Sequence, residues 1–275
     1  MLNEGVPNVK FNRKGYNMKA FIVSNEQLQN DYYRIRFDAP EMAAKSGPGQ
    51  FVHVRIDERN DNILRRPFSI HNAENGIITV VYKVVGTGTE RLKDKLPGDS
   101  CDLIGPVGVG FSTPEDDVIP VAVCGGYGAA ATFMLTQRSK QPGVLLLGAR
   151  SAADIILTKD YEERGFEVKV ATDDGSMGHK GRVTELIDQL LAEKPGKKFF
   201  FYGCGPHPML MALAKILKER NLDGELSIDH FMCCGVGACF GCVVKIAAPE
   251  TADGWVYKRS CVDGPVFKLA DVYAE

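Results

Sequence analysis

The sequence predicts an antiparallel β-barrel, then an α/β domain built on a parallel sheet, then a small cysteine-rich module. Three observations carry this reading. Over residues 18–112, short apolar–polar alternations are separated by turn residues, the pattern of half-buried antiparallel strands. Over 113–225 the apolar runs become continuous and alternate with helix-like segments, the pattern of buried parallel strands with crossover helices. Over 226–275 the chain concentrates five of its eight cysteines. Residues 1–17 read as a polar extension.

In the first part the strand-like runs are KAFIVSNEQ, YYRIRFD, GQFVHVRI, GIITVVYKV and GDSCDLIGP. Before the last of these, Gly86-Thr87-Gly88-Thr89 opens a helix-like segment, ERLKDKL. The second part begins with VIPVAVC, which runs into Gly125-Gly126-Tyr127-Gly128 and a helix predicted over AAATFMLTQRS. GVLLLGA, FEVKVAT and KKFFFYG repeat the buried-strand pattern, while RVTELIDQLLAEK and PMLMALAKILKER space their apolar residues as helices do.

The cysteines near the C-terminus are the most specific signal. Cys234, Cys239 and Cys242 read C-x4-C-x2-C and Cys261 follows after a loop, the plant-type spacing for a 2Fe–2S cluster. Gly235, Gly237 and Gly241 let the loop curl tightly, and amides aimed at sulfur stabilise a negatively charged cluster. The competing reading is structural zinc. Zinc sites usually come as two short knuckles, whereas three ligands here share one loop. Cys233 is an extra thiol beside the first ligand. Cys101, Cys124 and Cys204 stand singly, with no disulfide framework.

Charge excludes some functions. With 33 basic against 35 acidic residues and no block of like charge, nothing favours nucleic acid or an anionic membrane surface. No stretch approaches a membrane-spanning length, and the N-terminus lacks an apolar signal core. A cluster-bearing chain of this kind is expected in the reducing cytoplasm.

Several turns suggest phosphate and nucleotide chemistry. Gly125, Gly126 and Gly128 follow a buried strand and precede a helix, where a pyrophosphate can approach the backbone. A plain strand-to-helix turn reads the same way. Gly203-Cys204-Gly205-Pro206 follows a second strand, and Asp173-Asp174-Gly175-Ser176 a third. Loops at the carboxyl ends of parallel strands build a ligand crevice, so these turns fit one nucleotide site better than three coincidences. In the barrel, Arg65-Arg66-Pro67-Phe68-Ser69 offers forked phosphate partners, and Gly88-Thr89 offers amides and a hydroxyl. Taken singly, the arginines read as a solvated pair and the glycines as a hairpin turn.

Together these motifs resemble the ferredoxin reductase superfamily. The segments LRRPFSI, TDDGSMGHKG, YGCGPHPML, CGVGACFGCVV and YKRSCVDGPVF are similar to the electron-transfer subunits of two-subunit, NAD-dependent dihydroorotate dehydrogenases of pyrimidine synthesis. The resemblance covers nearly everything after the first 17 residues. It implies an FAD-binding barrel in which Arg66-Pro67-Phe68-Ser69 contacts the cofactor. Arg66 would hold the pyrophosphate, Phe68 flank the cofactor, and Ser69 lie beside the reactive edge of the isoalloxazine. Tyr82, Lys83 and Val84 would line the flavin, with Gly88 and Thr89 on its phosphates. Gly125, Gly126 and Gly128 would bind NAD, Cys204 would lie near the nicotinamide, and Cys234, Cys239, Cys242 and Cys261 would hold the cluster. Two departures stand out. Ala129-Ala130-Ala131-Thr132 occupies a stretch where the family commonly has a proline, and Asp229-His230-Phe231-Met232-Cys233 replaces an acidic–basic pair.

Electron counts order the carriers. NAD accepts two electrons as a hydride, a cluster passes one at a time, and a flavin does both, so the flavin belongs between them. The implied path is partner flavin, cluster, FAD, NAD, with dihydroorotate oxidised on a separate catalytic subunit carrying its own flavin, two copies of each chain. The nearest competing reading is the small FAD and 2Fe–2S subunit of an NADP-linked ferredoxin oxidoreductase or a sulfide dehydrogenase. From another class, a zinc-stabilised binding or regulatory protein competes.

Overall fold

The computed structural model describes residues 16–57 and 63–273. The polar extension expected over 1–17 lies outside these, apart from its last two residues. Six strands close into an antiparallel barrel in the order β1-β2-β5-β4-β3-β6. They are β1 (Tyr16–Gln29), β2 (Tyr32–Asp38), β3 (Phe51–Arg55), β4 (Arg66–Glu74), β5 (Ile77–Lys83) and β6 (Ser100–Val107). Closure removes the exposed sheet edges that an open antiparallel sheet would present. Ile35, Phe37, Val52, Val54, Ile70, Ile78, Val80 and Leu103 fill the interior, all fully buried. Each such side chain contributes about 1.5–3 kcal/mol by leaving water. Two short helices close the barrel: α1 (Pro40–Ala43) buries Met42, and α2 (Thr87–Lys93) buries Leu92.

The second domain is a seven-stranded sheet. Across it run β10 (His179–Lys180), β9 (Glu167–Thr172), β8 (Val144–Ala149), β7 (Ile119–Gly125), β11 (Phe199–Cys204), β12 (Asp223–Ser227) and β15 (Val266–Lys268). All pairs are parallel except β12 with β15, which is antiparallel. The chain starts at β7, builds outward through β8 and β9, then returns to β11 on the other side of β7. That reversal creates a crevice between the carboxyl ends of β7 and β11, where open α/β sheets bind ligands. The cysteine module contributes a hairpin, β13 (Val243–Ala247) with β14 (Trp255–Arg259). Because β15 follows the fourth cysteine, the module is built into the sheet edge.

Helices α3 (Ala129–Thr132), α4 (Thr158–Glu163), α5 (Leu186–Glu193) and α6 (His207–Glu219) complete the domain. In α6 the buried positions Leu210, Leu213, Ala214 and Leu217 follow the helical period the sequence predicts. The helix expected over AAATFMLTQRS is different: after four residues it tightens into a 3-10 segment, Phe133–Gln137. Residues 129–135 are all buried, and short 3-10 stretches of this kind are frequent at the ends of α-helices. Thr132 hydrogen-bonds the Tyr161 hydroxyl at 2.7 Å and the Cys124 sulfur at 3.1 Å. Tyr161 also donates to the Ala129 carbonyl at 2.8 Å, so side chains hold this turn. Among the described residues no helix is long and apolar enough to cross a membrane.

His71, on β4, joins barrel to sheet domain by stacking on Phe133 at 4.2 Å between ring centroids. It is 2% exposed, and burial, aided by the Arg34 charge, pulls its pKa down to about 3. A folded-state value below the unfolded one means that the neutral ring favours folding above the unfolded pKa of about 6.5. That contribution is lost as pH falls toward 3 and is about 2 kcal/mol lower by pH 5. Replacing His71 with Phe keeps the stack and removes the titration. Urea unfolding of the two proteins at pH 7 and pH 5 is expected to show a smaller acid loss in the variant. Equal acid losses would assign the pH dependence to other groups.

Candidate functional site

A cleft of about 1210 Å³ runs between the barrel and the carboxyl ends of the parallel strands. Arg66, Pro67, Phe68, Ser69, Tyr82, Lys83, Gly88, Thr89, Gly125, Gly126, Gly128 and Cys204 all line it. Val84 is not in that wall. β5 ends at Lys83, and the Val84 side chain turns onto the barrel core while its amide donates to the Asp31 carbonyl at 2.8 Å.

Residues distant in sequence converge here. The Arg66 guanidinium lies against Gly88, where a Cβ would meet its Nε at 3.1 Å, and it also bonds the Leu64 carbonyl. The Thr89 hydroxyl is engaged within its own turn. It accepts from the Val85 and Gly86 amides at 2.9 and 3.2 Å and donates to the Gly86 carbonyl at 2.9 Å. It therefore shapes the turn. Tyr82 donates to Asn25 Oδ1 at 3.1 Å and packs its ring between Tyr33 and Phe68, at 5.7 and 5.8 Å.

Lys83 is both wall and strut. Its Nζ meets the Asp154 carboxylate at 2.8 Å, Tyr32 donates to the same oxygen at 2.7 Å, and Lys83 sits 4.7 Å over the Tyr32 ring. The Lys83 and Tyr32 hydrogen bonds hold Asp154 below the usual carboxylate range. Asp154 follows β8, so the network fastens the sheet domain to the barrel.

At the switch point the two glycine turns touch backbone to backbone. A Cβ on Gly128 would stand 2.3 Å from the Cys204 carbonyl oxygen, and one on Gly125 would stand 2.6 Å from Pro206 Cδ. Cys204 pairs in register with Cys124, and burial pushes its thiol well above the ordinary value. It is a neutral thiol there and not an activated nucleophile. Asp173 lines the cleft, while Asp174 is engaged in its turn with the Ser176 amide and hydroxyl.

Sequence reasoning noted Asp229 only as a departure, yet it lines the cleft beside Tyr127 and Cys204. Its surface is open to the cleft, but the surrounding walls desolvate the carboxyl and raise its pKa. An acidic residue two positions after a buried parallel strand was the available signal.

The cysteine loop sits on the barrel. Gly235 and Gly237 have φ of 66° and 81°, the left-handed region that favours glycine. The Cys239 amide donates to Cys234 Sγ at 3.4 Å, and the Gly241 amide to Cys239 Sγ at 3.4 Å. Burial pushes the Cys234 thiol up, but amides of Val236, Cys239 and Ala238 outweigh it and bring the pKa to about 7. Donors aimed at sulfur are what a negatively charged cluster requires. Among the described residues no three His, Cys, Asp or Glu groups close on a single-ion site.

Cys242 and Cys261 pack on Phe51 of β3, and Gly235 sits so close to His53 that a Cβ would meet Nδ1 at 2.3 Å. The two ring nitrogens of His53 face the backbones of Cys234 and Arg65 without closing a hydrogen bond of normal geometry. In the ladder Phe51 stands opposite Ser69, and His53 opposite Pro67. One strand thus separates the cysteine loop from the Arg66–Ser69 motif. Nothing in the alternation of GQFVHVRI marked His53 for this place.

Comparison with known proteins agrees with this geometry. Residues 229–273 match the family model of the iron-sulfur cluster binding domain of dihydroorotate dehydrogenase B. The dihydroorotate dehydrogenase B (NAD(+)) electron transfer subunit of Desulforamulus reducens is 41% identical over 243 residues, covering 86% of this chain and 90% of its own. The same subunit of Geobacillus kaustophilus is 40% identical over 259 residues, covering 91% and 96%. Among solved structures, a chain of the NADH-dependent reduced ferredoxin-NADP oxidoreductase, studied for flavin-based electron bifurcation, aligns with a TM-score of 0.78. Its identity is 28% over 92% of this chain and 89% of that one. The ferredoxin reductase of carbazole 1,9a-dioxygenase shares the fold, with a TM-score of 0.61 and 23% identity over 76% and 67%. A barrel of the FAD-binding type, an NAD-linked parallel sheet and an iron–sulfur module are thus combined in one oxidoreductase subunit. The chain belongs to the family of dihydroorotate dehydrogenase B (NAD(+)) electron transfer subunits.

Proposed function

We propose that this chain takes electrons from the flavin of a catalytic dihydroorotate dehydrogenase subunit and passes them through a 2Fe–2S cluster and FAD to NAD, in the cytoplasmic synthesis of pyrimidines. The assembly would hold two copies of each chain. The observation that carries the reading is the placement of the cysteine loop on β3, one strand from Arg66–Ser69, which line the cleft that the nucleotide turns share. When bound, FAD supplies the exchange between single electrons and a hydride.

The chain's own residues do the binding and orienting. Arg66, backed by Gly88, would hold the FAD phosphates, and Pro67, Phe68, Ser69, Tyr82 and Lys83 would wall the flavin. Gly125, Gly126 and Gly128 leave backbone free for the NAD pyrophosphate. Cys204, as a neutral thiol, would pack against the nicotinamide and exclude water, and Asp229, its pKa raised by desolvation, would lie at the same end of the cleft. Cys234, Cys239, Cys242 and Cys261 would hold the cluster. Likeness to the bifurcating oxidoreductase supports the same internal wiring. The identities of 34–41% to dihydroorotate dehydrogenase subunits favour that partner.

Removing the forked contact in Arg66→Ala is expected to weaken FAD binding by about 1.5–3 kcal/mol, the range for a hydrogen bond to a charged group. The purified variant should carry substoichiometric FAD by absorption while keeping its iron. Full occupancy with unchanged affinity would remove Arg66 from the flavin site.

Wiring is tested by two assays on one preparation. The chain alone should oxidise NADH with artificial acceptors and leave dihydroorotate untouched. Mixed with its catalytic partner, it should support dihydroorotate-dependent NAD reduction. Cys239→Ala is expected to abolish the coupled reaction while most NADH-to-dye turnover remains, once FAD content and partner binding have been checked. Coupled turnover without a cluster would mean that electrons take another path.

A further inference from the structure

Arg259 ends β14 and stands two residues before Cys261. It is 8% exposed, and a guanidinium cannot shed its charge, so burial requires partners. Its Nε and Nη2 meet the two Asp263 carboxylate oxygens at 3.0 and 3.3 Å, a forked pair. Its Nη1 donates to the Gly237 carbonyl at 3.0 Å, inside the loop that carries the first three cysteines. Its plane lies 5.0 Å from the ring centroid of Phe240, the residue after Cys239. On the other side, the Asp263 carboxylate accepts from the Arg259 amide at 2.8 Å. The Asp263 amide donates back to the Arg259 carbonyl at 2.8 Å. That exchange closes the turn on which Cys261 sits. The β13–β14 ladder pairs through Val243 and Arg259 by backbone alone, so forming the hairpin does not require the side-chain contacts.

We infer that Arg259 and Asp263 are a positioning pair for the cluster: the guanidinium ties the three-cysteine loop to the turn of the fourth ligand, and the two opposite charges together set the reduction potential. The inference rests on the iron–sulfur reading of the four cysteines, and it needs neither the partner nor dihydroorotate. Reduction adds one negative charge to the cluster. A positive charge held close by in a poorly solvated setting favours the reduced form and raises the potential, and a negative one lowers it. As mechanical struts, Arg259 and Asp263 act together, so losing either loosens the same turn. As charges they act oppositely. That difference separates the proposal from a purely structural role.

The test is an EPR-monitored redox titration of the complete chain with FAD and cluster bound, comparing Arg259→Gln, Asp263→Asn and Arg259→Lys with the parent. Arg259→Gln should shift the cluster to a more negative potential and Asp263→Asn to a less negative one. Each shift should be large enough to change the one-electron equilibrium with FAD about tenfold, or about 59 mV. Arg259→Lys keeps the charge without the fork and should recover most of the shift seen with Gln. Shifts in the same direction for Gln and Asn, or no shift in either, would overturn the charge assignment. If Arg259→Gln fails to hold iron, Asp263→Asn still decides, since a potential at or below the parent's contradicts the proposal. A parent chain that carries no cluster after reconstitution would sink the iron–sulfur reading itself, a result distinct from any of these.

Discussion

Two strand ends touch without side chains between them, and the cleft depends on that contact. Gly128 against the Cys204 carbonyl, and Gly125 against Pro206, bring the turns after β7 and β11 closer than any Cβ would permit. The sheet reverses its build order at this point, so the crevice opens there. A side chain at either glycine would push the turns apart and fill the space that a dinucleotide backbone needs. The buried segment 129–135 then has to fold in whatever room remains behind the turn. Its short helix and 3-10 continuation, steadied by Thr132 and Tyr161, are consequences of that crowding.

The barrel meets this crevice at a fixed angle because polar struts cross the gap. Lys83 and Tyr32 share Asp154, and Gln29 reaches the carbonyls of Ala152 and Ala153 at 3.2 and 2.7 Å. His71 on Phe133 adds a stacked contact deeper in. These interactions are individually modest, and the partly exposed ion pair of Lys83 and Asp154 contributes little by itself. Their value is geometric, since hydride transfer requires the two ligands of the cleft to meet face to face.

Much of this was legible in the sequence, for physical reasons that differ by region. Period-two alternation in YYRIRFD and unbroken apolar runs in GVLLLGA follow directly from one-sided and two-sided burial, so barrel and sheet could be read locally. The iron–sulfur module was legible because a cluster constrains the spacing of its ligands along the chain. That the Thr89 hydroxyl closes its own turn is something spacing does not reveal. Val84 was placed one residue too far along the flavin wall, because the strand end at Lys83 decides which way the next side chain turns. His53, Asp154 and Arg259 were invisible as functional candidates. Each gains its place from a partner more than ten residues away, and single-chain patterns carry no record of such contacts.

The cysteine module is held from three directions, which bears on how electrons leave the cleft. β15 extends the sheet through β12, Val109 after β6 bonds the Gly264 carbonyl at 2.6 Å, and the cysteine loop rests on Phe51 and His53. These contacts tie the module to both the barrel and the sheet. One strand, β3, lies between the cysteine loop and β4, which carries Arg66 and Ser69. Cys242 and Cys261 face inward and are buried, whereas Cys239 stays exposed, with Phe240 and Phe231 also open to solvent nearby. The two inner thiols therefore lie on the β3 side and Cys239 on the outer surface.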